Sequence, residues 1–262
     1  MEPLPKDLGL LLAEQFREQM NHLSAAVQLL TPVVQEKGGA QYDPYLAILH
    51  QSLYRMMRMI GNLEYLELPE EQAAPRVRTL DLAGLCREMA RQVEPLAQQA
   101  GLRFSYEEET GSLITQGDAD QLRRALLELI SNAIRAAGKG GQTGLRLAVR
   151  GDRATLTVWD NGPGMSPAQP EAADPLHRTG GVGLGLPLAR RVAEGHGGAL
   201  VFEQREGRGS RAILSLPVRP PEESGMLRSP QMHTAANGGF SDVLTVLSDV
   251  LPYQAFLPGD LE

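Results

Sequence analysis

RTGGVGLGLPLARRVAEGHGG, residues 178–198, decides the fold of this chain. Gly180, Gly181, Gly183 and Gly185 crowd the entrance of an apolar-periodic run from about Leu184 to Gly195, which predicts a helix. Glycines at a helix entrance expose backbone N–H groups where the helix dipole is positive, an arrangement suited to polyphosphate. Spacing excludes two other glycine loops. The dinucleotide fingerprint needs a strand directly before it and a third glycine where Leu186 stands, and the P-loop needs a Gly-Lys-Ser/Thr that is absent. A glycine-rich lid over nucleotide phosphates remains.

Working outward, TVWDNGPGM (157–165) puts Asp160 at the end of an alternating strand, followed by Gly162 and Gly164. A strand-end carboxylate can accept from an exocyclic amine while the glycines bring backbone close to a flat ligand, although DNG alone is also common turn chemistry. Further upstream, LLELISNAIRAA (126–137) stacks Glu128 and Asn132 on one helix face, with Arg135 a turn on. An amide oxygen beside a carboxylate suits Mg²⁺, and Glu128 is alternatively a proton acceptor; taken singly, the trio also fits a solvated helix face.

Around these clusters the pattern predicts a helix over 81–101, strands at 102–107 and 112–116, and a helix from Asp118 through Ala137. Strands at 145–150 and 154–160, the helix after the glycines and a hairpin around REGRG (205–209) complete a two-layer α/β sandwich with helices on one sheet face. Before it, Leu12, Phe16, Met20, Leu23, Val27 and Leu30 form one helical seam ending at Thr31-Pro32. Leu46, Leu49, Leu53, Met56, Ile60 and Leu63 form a second. Two helices with one apolar stripe each bury little alone, so residues 1–67 predict a hairpin that pairs with a second copy into a four-helix bundle, a homodimer, the alternative being a hairpin packed on its own downstream domain. Residues 68–77 read as a linker and 78–218 as the sandwich. Residues 219–262 read as a linker-like tail ending in the amphipathic FSDVLTVLSDVL (240–251), expected to dock on its own chain.

The 262 residues, 42% hydrophobic and 22% charged, describe a globular α+β protein of about two domains. A net charge of −7 argues against broad binding to nucleic acid. The single cysteine, Cys86, excludes an internal disulfide or cysteine-based zinc site and reads as a packed core thiol. LGLLLA (8–13) is too short to span a membrane, so the chain reads as cytoplasmic, with no membrane segment.

In this order the three clusters resemble the ATP-binding domain shared by DNA gyrase, sensor histidine kinases and MutL, the GHKL or Bergerat fold, over roughly residues 78–218. SNAIRAA, DNGPGM, GVGLGLPLARRVAEGHGG and GRGS are most similar to the N, G1, G2 and G3 boxes of sensor histidine kinases. The resemblance implies that Asn132 holds Mg²⁺, Glu128 supports phosphoryl transfer, Asp160 binds the adenine amino group, and Gly162 and Gly164 shape the adenine pocket. It further implies that Gly181, Gly183 and Gly185 line the ATP phosphates, Arg135 stands where relatives carry a phosphate-facing lysine, Ser210 lies near adenine, and Arg178 belongs to the lid.

Such kinases carry the phosphate-accepting histidine on the first helix of a dimeric hairpin, which is the place of His22. The resemblance therefore implies an ATP-dependent protein histidine kinase that phosphorylates His22 and passes the group to an aspartate on a response-regulator receiver domain. The sequence departs from the pattern at Leu23, where relatives mostly carry Glu or Asp, and the loss of one such base would lower the rate roughly tenfold to a thousandfold. Two rival readings share the ATP domain: a nucleotide-binding interaction module whose hairpin only dimerises, and a serine kinase resembling those that act on anti-sigma partners. His50 on the second helix is a rival acceptor; His177 and His196 read as structural or ligand-adjacent.

Overall fold

A computed structural model describes residues 8–162, 183–204, 209–220 and 240–257. Helix α1 (Leu8–Gly38) and helix α2 (Asp43–Glu67) form an antiparallel hairpin. Helix α1 does not end at Thr31-Pro32 but continues through Pro32. Proline removes one N–H and would leave the Gln28 carbonyl unpaired, yet Gln28 is exposed, so water can satisfy it. Thr31 Oγ1 meanwhile donates to Val27 O at 2.8 Å. The expected seams are split between two directions. Met20 and Val27 on α1, and Leu46, Leu53 and Ile60 on α2, are buried. Leu12, Phe16, Leu23 and Leu30, with Leu49 and Met56, point outward, Phe16 and Leu30 each 57% exposed.

Residues 68–77 contain a single turn of helix, α3 (Glu70–Ala73). A two-stranded ribbon follows, β1 (Arg78–Asp81) against β3 (Ile114–Gly117), with α4 (Leu82–Gln99) and β2 (Arg103–Glu108) between them. The main sheet adds β4 (Gln142–Arg150), β5 (Arg153–Asp160), β6 (Ala199–Gln204) and β7 (Ser210–Pro217) in the order β2-β4-β5-β7-β6. Among the described residues only the β2–β4 pair is parallel. Leu145, Leu147, Leu156, Val158 and Leu214 alternate inward on the strands and meet the apolar faces of α4, α5 (Ala119–Ala137) and α6 (Gly185–Gly195). The fold is thus α+β, a helical hairpin followed by a two-layer sandwich. Cys86 lies wholly inside this core, and burial pushes its thiol pKa up, so it stays protonated and inert.

Helix α7 (Asp242–Leu247) and a 3₁₀ turn, Tyr253–Phe256, dock between α2 and α5, as expected for an intramolecular contact. Among the described residues no helix is long and apolar enough to cross a membrane.

Candidate functional site: a row along helix α5

Asp118 starts α5, its carboxylate accepting from the Asp120 and Gln121 backbone amides. The helix then presents residues four apart on one face, so Glu128, Asn132 and Ala136 form a row about 12 Å long at ~1.5 Å per residue. Each end of that row abuts a glycine with no room for a side chain. A Cβ on Gly185, the first residue of α6, would lie 2.2 Å from Glu128 Oε2. A Cβ on Gly162, past the end of β5, would lie 2.0 Å from Ala136 O. Helix α5 therefore spans from the entrance of α6 to the end of β5.

At the β5 end Asp160 is 6% exposed and fixed from two sides. The Gly162 amide donates to Oδ1 at 2.9 Å and Ser210 Oγ donates to Oδ2 at 2.6 Å. A carboxylate offers about four lone-pair positions, so two remain for a ligand donor. Gly209, with φ +81°, completes this corner; a Cβ there would sit 1.9 Å from Asp160 O. Sequence reasoning quoted Gly209 within GRGS but gave it no role, and its signal was the glycine directly before Ser210.

At the other end no side chain caps the N-terminus of α6, leaving its amides available, and Gly183 ahead of it has φ +78°. Gly164, Arg178, Gly181 and His177 lie outside the described residues.

Glu128 is fully buried and not on a solvated face. It accepts from Arg58 Nε at 3.2 Å and Arg58 Nη2 at 2.5 Å, and from Asn62 Nδ2 at 2.7 Å. Both partners come from α2, so the hairpin neutralises the carboxylate expected to assist transfer; Arg58 and Asn62 carried no motif that could have revealed this. Arg135 Nη1 approaches Asn132 Oδ1 at 3.4 Å, a long bond that leaves the amide oxygen available. The Nε and Nη2 of Arg135 are buried without hydrogen-bond partners, and burial followed by the nearby Arg58 cation lowers its pKa.

The histidines divide sharply. His22 is exposed on α1, next to the exposed Leu23. His50 is buried, with Nε2 3.4 Å from Thr31 Oγ1 and Nδ1 3.3 Å from Phe256 O. His196 is buried too: its Nε2 accepts from the Asp118 amide at 3.0 Å, which leaves Nδ1–H to donate to Val192 O at 2.8 Å. Both serve packing, and burial lowers the pKa of each.

Residues 117–220 match the family described as Histidine kinase-, DNA gyrase B-, and HSP90-like ATPase. The chain is 28% identical over 216 residues to sensor histidine kinase RppB of Synechocystis sp., covering 79% of this chain and 47% of that protein. It is 30% identical over 216 residues to sensor histidine kinase ZraS of Salmonella typhimurium, covering 76% and 46%. The chain thus spans about half the length of these curated relatives. Among solved structures, full-length ShkA in complex with AMPPNP shares the fold, with TM-score 0.65 and 24% identity over 84% of this chain and 47% of that one. By these matches residues 117–220 carry a histidine kinase-, DNA gyrase B- and HSP90-like ATPase domain, and the chain is similar to sensor histidine kinases over about three quarters of its length.

Proposed function

We propose that the chain is an ATP-dependent protein histidine kinase that phosphorylates itself on His22 and passes the phosphoryl group to an aspartate of a response-regulator receiver domain. The observation that supports this most is the row on α5, which joins a strand-end carboxylate at one end to an uncapped, glycine-led helix entrance at the other. A row of about 12 Å matches a nucleotide lying with adenine at Asp160 and phosphates at α6. In this reading Asp160 accepts from the adenine amino group, Ser210 and Gly162 hold that carboxylate in place, and Gly183 and Gly185 let the α6 amides approach the phosphates.

Arg135, a half-buried side chain whose Nε and Nη2 lack hydrogen-bond partners, supplies positive charge toward the phosphates. Asn132 Oδ1 is a hard oxygen suited to Mg²⁺, which when bound would offset phosphate charge. The neutral His22 imidazole attacks the γ-phosphorus: an N–P bond forms, the bond from phosphorus to the β,γ-bridging oxygen breaks, ADP leaves, and the other ring nitrogen loses its proton. Leu23 provides no acceptor for that proton. Glu128 can take that role only after separating from Arg58.

The outward apolar row of Leu12, Phe16, Leu23, Leu30, Leu49 and Met56 supports a homodimer, in which two hairpins bury these faces as a four-helix bundle. In this reading the reaction runs in the cytoplasm, where ATP is supplied. Incubating the chain with Mg²⁺ and ATP carrying a radiolabelled γ-phosphate tests the reading. Acid-labile, alkali-stable label is expected, and acid-stable label would show a hydroxyl acceptor instead.

A further inference from the structure

The C-terminal segment has no part in the reaction above, yet it is held by both halves of the molecule. Phe240, Val243, Val246, Leu247, Leu251 and Phe256 are buried, and Tyr54 of α2 stacks edge-on against Phe240 at 4.8 Å. Helix α2 also grips its backbone: Gln51 Nε2 donates to Ser248 O at 3.0 Å and Leu251 O at 2.8 Å, and Arg55 Nε donates to Ser248 O at 3.1 Å. These contacts alone describe packing.

Asp249 adds something packing does not need. Its Oδ2 accepts from Arg58 Nη1 at 2.7 Å and lies 3.8 Å from Arg135 Nη2. Arg58 simultaneously holds Glu128 through its other nitrogens. One carboxylate of the tail thus stands beside the guanidinium read as phosphate-facing and beside the one that neutralises Glu128.

We propose that residues 240–257 are an internal clasp that fastens the ATP domain to α2, with Asp249 standing in for nucleotide phosphate at Arg135, so that clasp docking and nucleotide binding compete. This rests on the reading of Arg135 as phosphate-facing. The two anions exclude each other because Arg135 is the cation they share, and like charges so close repel. A partly exposed guanidinium whose Nε and Nη2 are buried and unbonded gains more from phosphate oxygens at hydrogen-bond distance than from a carboxylate at 3.8 Å. Departure of Asp249 leaves Glu128 as the remaining carboxylate partner of Arg58. Nucleotide binding and clasp release are then one linked equilibrium, and linkage is reciprocal.

The test uses the full 262-residue chain. Hydrogen exchange at residues 240–257 is measured with and without a non-hydrolysable ATP analogue and Mg²⁺, and is expected to speed up on binding. Asp249→Asn is expected to bind the analogue roughly fivefold or more tightly and to label His22 faster. Leu247→Asp, which ejects the clasp through its apolar side, should move affinity the same way, and circular dichroism of both variants confirms a folded ATP domain. Unchanged exchange, or affinity within about twofold of the parent in both folded variants, overturns the clasp. The two readings fail separately. Exchange and affinity changes without any label on His22 would sink the kinase reading and keep the clasp. Equal label in all chains with unmoved exchange would sink the clasp and keep the kinase.

Discussion

Replacing Asp160 with asparagine separates the cost to the fold from the cost to the ligand. The Gly162 amide, 2.9 Å from Oδ1, can only donate, so the asparagine oxygen must face it. The new NH₂ then faces Ser210 Oγ, where a bond of 2.6 Å survives in reverse because a hydroxyl can rotate to accept. Both internal contacts persist without charge assistance, and stability should fall by only about 1 kcal/mol. An adenine amino group, by contrast, loses a charge-assisted bond to a buried carboxylate. Affinity should weaken by about 1–3 kcal/mol, roughly five- to 150-fold in Kd. Calorimetric titration with ATP, beside a thermal melt of the same sample, reads both quantities. An unchanged Kd in a folded Asp160→Asn chain would remove Asp160 from the pocket, and a collapse of the melt would show that the carboxylate holds the β5 end together.

Gly209→Ala should lower both ATP affinity and melting temperature, by about 1–3 kcal/mol in stability, because its Cβ has no space beside Asp160 O; an unaltered melt would contradict that fit. Arg58→Ala strands the buried Glu128 with Asn62 alone and should cost about 3–5 kcal/mol in urea unfolding, a loss below about 1 kcal/mol showing that the pair is not desolvated. His50 and His196 bind protons less readily folded than unfolded, since burial opposes their charge, so acid favours the unfolded chain. Stability should be full above the ordinary imidazole value of 6.5 and decline below it by up to about 1.4 kcal/mol per pH unit for each ring, which melts between about pH 7 and 5 would register. Phe16→Glu with Leu30→Glu should convert a dimer to a monomer by light scattering, because both side chains are more than half exposed on the single hairpin; a persisting dimer would place the interface elsewhere.

The ATP domain was legible because its signals are local. Strand alternation, the Asp118 cap and the glycines before α6 each sit within a few residues of what they determine. The row on α5 was legible for the same reason, since a spacing of four fixes a face. Thr31-Pro32 misled because a proline is a helix stop only where the freed carbonyl is costly, and exposure of Gln28 removes that cost. The Arg58–Glu128 pair was beyond reach: its members lie 70 residues apart on helices whose meeting depends on domain packing, and periodicity names a face without naming its partner. Nothing in FSDVLTVLSDVL indicates that the Asp249 carboxylate reaches three arginines, Arg55, Arg58 and Arg135, because an amphipathic stripe says nothing about the partners of its polar side.

The central claim is that the exposed His22, and not the buried His50, receives phosphate. The direct measurement is incorporation of label from ATP radiolabelled on the γ-phosphate into the parent chain, His22→Ala and His50→Gln, each checked for ATP binding. The account predicts acid-labile label in the parent and in His50→Gln, and none in His22→Ala. Label that persists in a folded, ATP-binding His22→Ala chain would contradict it.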